Sequence, residues 1–311
     1  MCLGGLMKKG MALAFVVILG LAACGGRAAQ TKNGPAPRGT AAFADRLAMA
    51  DEFSLAVSGL PSLSGDRSYQ AWLVGSDGQT YLGLGPVKIA TDGSLALRWD
   101  SPTSENLAAH YAGFEVTVES GTVGAAPKGP VAFSGSLSAL GRSLFGPSTT
   151  SPSPAAIGMK QQADLAVEHG RMAIAAQQIK AWDEMRAHLE HVINILEGTK
   201  GKRFGDYLGT GVPQNPGDGY GVGAYEQDLE SLLGKDAAAG AGVSSMDEAF
   251  HSAMSSLEDA CLAALKLKGG TKADQSMRDV KLRMDALQNG PVADLYRAAQ
   301  KELSVTVGPR S

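Results

Sequence analysis

The sequence contains few cysteines, few aromatic residues and few charges, and each shortage excludes a class of protein. Three cysteines in 311 residues cannot build a disulfide framework, and none are spaced as C-x-x-C, which argues against a structural zinc site. Aromatic residues make up 6% and charged residues 19% of the chain, both low for a globular protein. The formal net charge of -3 argues against a protein that binds nucleic acid mainly through phosphate contacts.

Motifs of common catalytic sites are also absent. The chain contains no G-x-S-x-G, H-E-x-x-H or G-x-x-x-x-G-K-[ST] segment, and no G-x-G-x-x-G segment follows a predicted strand. We therefore expect a protein that is not an enzyme, with an enzyme of unknown class as a lesser alternative.

The first 23 residues have the pattern of a secretory signal peptide. Lys8 and Lys9 precede an apolar run over residues 11–23, and no acidic residue occurs in the segment. The run is too short to cross a hydrocarbon core of about 30 Å comfortably as a permanent helix. We therefore predict a cleaved signal peptide and an extracytoplasmic location.

The end of this segment resembles the lipobox of bacterial lipoproteins. The matching residues are Leu21, Ala22, Ala23 and Cys24, and two glycines follow them. Small residues allow a peptidase to approach the backbone, and a cysteine directly after them can carry a thioether-linked lipid. The resemblance implies that Cys24 is lipidated and anchors the protein to the cell membrane, where acyl chains contribute ~0.8 kcal/mol per buried CH₂.

In the rest of the chain, the spacing between apolar residues differs from one segment to the next. Residues 24–46 are rich in Gly, Pro and polar residues and are predicted to form a flexible tether. Over residues 47–140 apolar residues alternate with polar ones, which predicts an antiparallel β-sandwich. A Ser/Pro linker at 141–156 is followed by helical periodicity over residues 157–311, which predicts an α-helical bundle. The predicted fold class is α+β, with the two types in separate domains.

Local signals refine this division. Residues 69–74 are apolar on both faces and are predicted to form a central strand. Asp77-Gly78 and Asp92-Gly93 each lie between apolar runs, which is typical of hairpin turns. Ser245 and Glu248 have the spacing of a capping box and predict the start of a helix there.

Two stretches of the predicted β region are similar to the extracytoplasmic C-terminal domain of anti-sigma-K factors. The first is LAVSGLP at 55–61 followed by YQAWL at 69–73, and the second is VTVE at 116–119 followed by PKGPVAFSG at 127–135. The resemblance covers residues 50–137 and implies a β-rich binding or sensing module. Membrane anti-sigma factors hold their sigma factor with a cytoplasmic helical domain ahead of a transmembrane helix, and no such domain precedes the apolar run here. We therefore expect that no sigma factor is bound directly.

Three histidines of the helical region form a candidate metal site. His188 and His191 lie three residues apart and share a helix surface, and His169 falls on an apolar face of the preceding predicted helix. Further ligands could come from nearby side chains: Glu184, Glu190 and His251. Such a set can bind a transition metal such as zinc or copper, or hold haem. The alternative is that His169 is a hydrogen-bonded core residue and the other two lie at the surface.

The Gly- and Pro-rich loop at 198–223 is the candidate surface for a ligand or partner, because long loops in compact domains often carry function. Its candidate residues are Asp206, Asn215, Asp218 and Tyr220. The two aspartates could hold Ca²⁺, although the loop lacks the D-x-D-x-D spacing of a dedicated calcium loop. The alternative is a compact Ω-like loop that packs Phe204, Tyr207 and Tyr220 onto the helices.

These features predict a lipid-anchored cell-envelope protein that acts as a non-catalytic binding, sensing or scaffolding module. Its partner is an unknown envelope protein or ligand, and no cofactor is expected. The alternative is an envelope protein that binds a metal or haem through its histidines, and convergence of the three rings would favour it. Cys261 lies on an apolar helical stripe and is predicted to be a buried residue.

Overall fold

The computed structural model describes residues 36–236, 238–240 and 242–308. The predicted signal peptide, residues 21–23 of the lipobox and Cys24 lie outside the described residues. Among the helices that are described, none combines the length and apolar character needed to cross a membrane.

Strands in the described residues form two antiparallel sheets of four strands each. The strands are β1 (Arg38–Ala44), β2 (Glu52–Ser58), β3 (Arg67–Gly75), β4 (Tyr81–Val87), β5 (Leu95–Asp100), β6 (Tyr111–Ser120), β7 (Val131–Ser136) and β8 (Ser304–Val307). The order is β5-β2-β1-β8 in the first sheet and β4-β3-β6-β7 in the second.

Helices dominate the chain after β7. The helices are α1 (Leu107–His110), α2 (Ala139–Phe145), α3 (Ala155–Gln178), α4 (Trp182–Glu197), α5 (Val222–Leu233), α6 (Val243–Leu265), α7 (Thr271–Leu287) and α8 (Ala293–Gln300). A π-helical turn at Gln288–Val292 joins α7 to α8, and a 3₁₀ turn at Lys301–Leu303 leads into β8. The α+β composition and the helical C-terminal part agree with the sequence prediction.

The alternating pattern places apolar side chains between the sheets. Phe53, Leu55 and Val57 of β2 are buried, and the ring of Phe53 lies 5.5 Å from that of Phe114 on β6 in the other sheet. β3 pairs with β4 on one side and β6 on the other, so the prediction of a central strand is confirmed.

The two predicted hairpin turns have different outcomes. Asp77-Gly78 connects the paired strands β3 and β4, and the Asp77 carboxylate accepts hydrogen bonds from the backbone N–H groups of Gln79 and Thr80 at 2.9 and 2.8 Å. Asp92-Gly93 connects β4 to β5, which belong to different sheets. The hairpin prediction is wrong there, because the chain uses this turn to pass from one sheet to the other.

The structure also moves the predicted segment boundaries. β1 lies inside the segment predicted as a tether, and it pairs with β2 along its whole length. β8 lies inside the segment predicted as a helical bundle, and Gly39 of β1 is paired with Val307 of β8. The segment 141–156 is not wholly linker, since α2 reaches Phe145 and α3 begins at Ala155. The helical part therefore contributes a strand to the first sheet, and the two parts are not separated at that linker.

The start of α6 corrects a smaller prediction. The helix begins at Val243 after Gly242, whose φ of 84° suits glycine, and no side chain caps it. Ser245 instead donates its hydroxyl to the carbonyl oxygen of Gly242 at 2.8 Å, so the predicted capping box is not formed. Cys261 on the same helix is fully buried, as predicted.

Candidate metal centre

Helices α3 and α4 form an antiparallel hairpin that brings the three histidines together. A short turn joins them, and Lys180 within it has a φ of 65°. His169 and His191 are equally far from Lys180 in sequence, so they lie at the same height on facing helices. His188 lies almost one turn from His191 on the same surface of α4.

The imidazole rings meet through their Nδ1 atoms. Nδ1 of His169 lies 3.0 Å from Nδ1 of His188 and 3.2 Å from Nδ1 of His191. One ligand atom from each ring lies within 4.8 Å of the others. The structure therefore brings together the three histidines that the sequence singled out.

Burial favours the neutral form of His169 and His191. His169 is 9% exposed, and burial followed by the charges of His191 and His188 lowers its pKa to about 4. Burial is also the main cause that lowers the pKa of His191, followed by His188, while Glu190 opposes the shift. Neutral imidazole is the form that binds metal ions, because its unprotonated ring nitrogen carries a free lone pair.

The three additional ligands considered from sequence lie in different places. Oε1 of Glu184 is 4.0 Å from Nε2 of His188, the ring nitrogen that does not face the cluster. Glu190 is fully buried and its carboxylate is used by the loop after α4. His251 belongs to a second group with Glu226 and Asp247. None of the three therefore adds a ligand atom to the group formed by the three histidines.

Glu190 and Asn194, one turn apart on α4 and both fully buried, hold the loop at 198–223. The Glu190 carboxylate accepts hydrogen bonds from the backbone N–H groups of Tyr207, Leu208 and Gln214 at 2.9, 3.0 and 2.9 Å. The Asn194 side chain donates to the carbonyl oxygens of Gly205 and Gln214 and accepts from the N–H of Gly205. The helix that carries two of the histidines therefore also fixes the loop.

The ends of this loop meet at a narrow neck. The N–H of Thr199 donates to the carbonyl oxygen of Gly219 at 2.8 Å. Gly198 has a φ of 65°, and a Cβ there would lie 2.1 Å from the carbonyl oxygen of Tyr220. Only glycine fits this neck, and the closed loop has the form of an Ω-loop.

The four loop residues proposed from sequence form hydrogen bonds within the loop and with side chains of α5. Asp206 accepts hydrogen bonds from the N–H groups of Thr210 and Gly211, which lower its pKa, and Asn215 accepts from Gly217. Asp218 accepts the hydroxyl hydrogen of Tyr225 at 2.6 Å, and Tyr220 donates its hydroxyl to Asp228 at 2.7 Å. Within the described residues, neither aspartate belongs to a group of convergent ligand atoms.

A buried carboxyl group supports the other side of the loop. Glu258 on α6 is 2% exposed, and burial followed by a hydrogen bond with Glu197 raises its pKa to about 8. Nη1 of Arg203 lies 2.7 Å from Asp259 and 3.3 Å from Glu258. We assign the ion pair with Arg203 to Asp259, because that carboxylate makes the shorter contact with the guanidinium group. We assign a proton to Glu258, because a neutral carboxylic acid can donate a hydrogen bond to the carboxylate of Glu197.

Replacing Glu258 with glutamine is expected to stabilise the protein at pH 8. The unfolded carboxyl loses its proton near pH 4.5, whereas the folded one keeps it up to about pH 8, so this group costs stability as the pH rises between those values. The Glu258→Gln variant should be about 1–3 kcal/mol more stable than wild type at pH 8 and nearly equal at pH 4.5. Urea unfolding across this range measures the difference, with Glu248→Gln as the exposed control. A loss of stability at pH 8 would show that Glu258 is ionised and paired with Arg203.

Sequence reasoning missed two members of the second group, Glu226 on α5 and Asp247 on α6. Asp247 and His251 are four residues apart, which places them on one helix surface. This D-x-x-x-H spacing was a detectable signal. The burial of Glu226 was not detectable, because it depends on how α5 packs against α6.

Comparison with known proteins returned no matching protein family, no similar curated protein and no similar solved structure.

Proposed function

We propose that this protein binds a divalent transition-metal ion, zinc or copper, through His169, His188 and His191. The observation that carries the proposal is the convergence of the three Nδ1 atoms around His169. Zn–N bonds of about 2.0–2.1 Å in tetrahedral geometry place neighbouring nitrogens about 3.3 Å apart. The separations of 3.0 and 3.2 Å are close to that value.

Hydrogen bonds alone account poorly for the cluster. A neutral imidazole Nδ1 carries either one hydrogen or one lone pair, so Nδ1 of His169 can form one good hydrogen bond but has two close ring nitrogens. A cation placed among the rings interacts with all three lone pairs at once. Glu184 is placed to accept a hydrogen bond from Nε2 of His188 through a bridging water, as carboxylates around metal-bound histidines commonly do.

The donor set favours zinc or copper over calcium and haem. Imidazole nitrogens suit Zn²⁺ and Cu²⁺, whereas Ca²⁺ takes oxygen ligands. The short separations between ring nitrogens leave no room for a macrocycle between the rings. Three protein ligands leave a fourth position for water or a solute, and the half-buried His188 and His191 give an ion access from solvent.

The rest of the proposal concerns location and architecture. We place the protein at the outer face of the cell membrane, attached through lipidated Cys24, and the support is the sequence pattern of residues 1–24. The two sheets are interpreted as a β-sandwich that is similar to the outer domain of anti-sigma-K factors, and α3 to α8 as a helical bundle. In this arrangement the β part is a binding or spacing module, and the helical part holds the ion outside the cytoplasm.

Calorimetric titration of the purified protein with Zn²⁺ and Cu²⁺ tests the metal proposal. We expect binding at micromolar or lower concentration, with zinc-edge X-ray absorption showing three imidazole nitrogens in the first coordination shell. Ca²⁺ should not compete for this position. Absence of Zn²⁺ and Cu²⁺ binding at micromolar concentration would disprove the proposal.

A further inference from the structure

A second group of potential ligands lies between α5 and α6, apart from the three histidines. Nε2 of His251 is 3.1 Å from Oδ1 of Asp247 and 3.7 Å from Oε2 of Glu226. One ligand atom from each of the three side chains lies within 4.8 Å of the others. Two carboxylates from different helices and one imidazole therefore face the same point.

Glu226 is the member of this group that most clearly points to a bound cation. Its side chain is fully buried, and neither of its carboxylate oxygens has a hydrogen-bond partner within the described part of the chain. A buried carboxylate without donors is strongly disfavoured unless a cation or a proton neutralises it.

The two neighbours of Glu226 in this group are partly exposed to solvent. His251 and Asp247 are side chains of the surface of α6, with exposures of 47% and 25%, and they lie directly over the buried carboxylate. An ion that enters between them can contact one buried oxygen ligand, one half-buried oxygen ligand and one imidazole nitrogen. The outward side stays open to water molecules, which can complete the coordination shell.

We propose that Glu226, Asp247 and His251 form a second metal site that binds a divalent ion of the Mn²⁺ type. The donor set differs from that of the histidine cluster in charge and chemistry. Two carboxylates bring negative charge and hard oxygen ligands, which suit Mn²⁺, whereas three imidazole nitrogens suit Zn²⁺ or Cu²⁺. The protein would therefore hold two different metal ions in one helical region.

Electron paramagnetic resonance titration of the full chain with Mn²⁺ tests this site. We expect wild type to bind Mn²⁺ and Glu226→Gln or Asp247→Asn to weaken that binding by about tenfold or more. Glu226→Gln keeps the size of the side chain and removes a buried charge, so its folding is not expected to suffer. Thermal unfolding without metal checks that both variants are folded.

Two control variants show whether Mn²⁺ binds at this site or elsewhere on the protein. Glu248→Gln, one residue from Asp247 and exposed, should bind Mn²⁺ like wild type. His169→Ala should also retain Mn²⁺ binding, so the two metal proposals can fail independently. The second site is disproved if wild type does not bind Mn²⁺, if Glu226→Gln and Asp247→Asn bind it unchanged, or if Glu248→Gln lowers binding equally.

Discussion

His169→Ala is expected to weaken Zn²⁺ binding by about 100-fold or more, which corresponds to roughly 2.7 kcal/mol. His169 is the member of the cluster whose Nδ1 contacts both other rings, and it is the one ligand contributed by α3. Without it, two imidazoles three residues apart on a single helix remain. Calorimetric titration of the purified variant measures the loss.

His110→Ala provides the matched control, because His110 is an exposed histidine on α1 that belongs to neither ligand group. It should bind Zn²⁺ as wild type does. His188→Ala and His191→Ala should each weaken binding in the same direction as His169→Ala. Undiminished Zn²⁺ binding by His169→Ala would mean that the three rings are packing partners only.

Glu190→Ala is expected to lower the free energy of unfolding by about 2–4 kcal/mol. The substitution removes a fully buried carboxylate that accepts three backbone hydrogen bonds from the loop at 198–223. The N–H groups of Tyr207, Leu208 and Gln214 then lose their acceptor, and the loop must open toward water to satisfy them. Urea unfolding measures the stability, and hydrogen exchange of these three amides reports the opening of the loop.

Two further variants help to interpret that result. Glu184→Ala removes an exposed carboxylate from the same helix and should change stability by no more than about 0.5 kcal/mol. Glu190→Gln should give an intermediate loss, because an amide keeps one acceptor oxygen but turns an NH₂ group toward N–H donors. If Glu190→Ala unfolds like wild type and its loop amides stay protected, the carboxylate does not hold the loop.

The candidate site shows where sequence reasoning succeeds and where it stops. His188 and His191 are three residues apart, and the period of the α-helix places residues with that spacing on one surface. Their shared surface was therefore predictable from the sequence. The position of His169 opposite them depends on the length of the turn around Lys180, which sets the register of the hairpin. Glu226 was missed because periodicity assigns a charged residue to the surface, and only the packing of α5 on α6 reveals its burial.

The strands show a similar limit. β2 and β6 carry large alternating apolar residues and β3 is apolar on both faces, so all three were predicted. β1 instead reads RGTAAFA and follows a segment rich in glycine and proline. Ala41 and Phe43 of β1 are buried because the strand pairs with β2 on one side and β8 on the other. β8 is only four residues long, too short for a period to be recognised, and it forms because a neighbouring strand is available.

The pairing of β1 with β8 has a consequence for how the protein is made. Gly39 and Val307 are partners, yet almost the whole described chain separates them. During synthesis the strand β1 must wait for the last helices to appear before its outer edge is paired. Long-range strand pairing is slow and leaves unpaired edges open to aggregation in the meantime. The first sheet is therefore the last part of the molecule to be completed, and α3 to α8 can fold ahead of it.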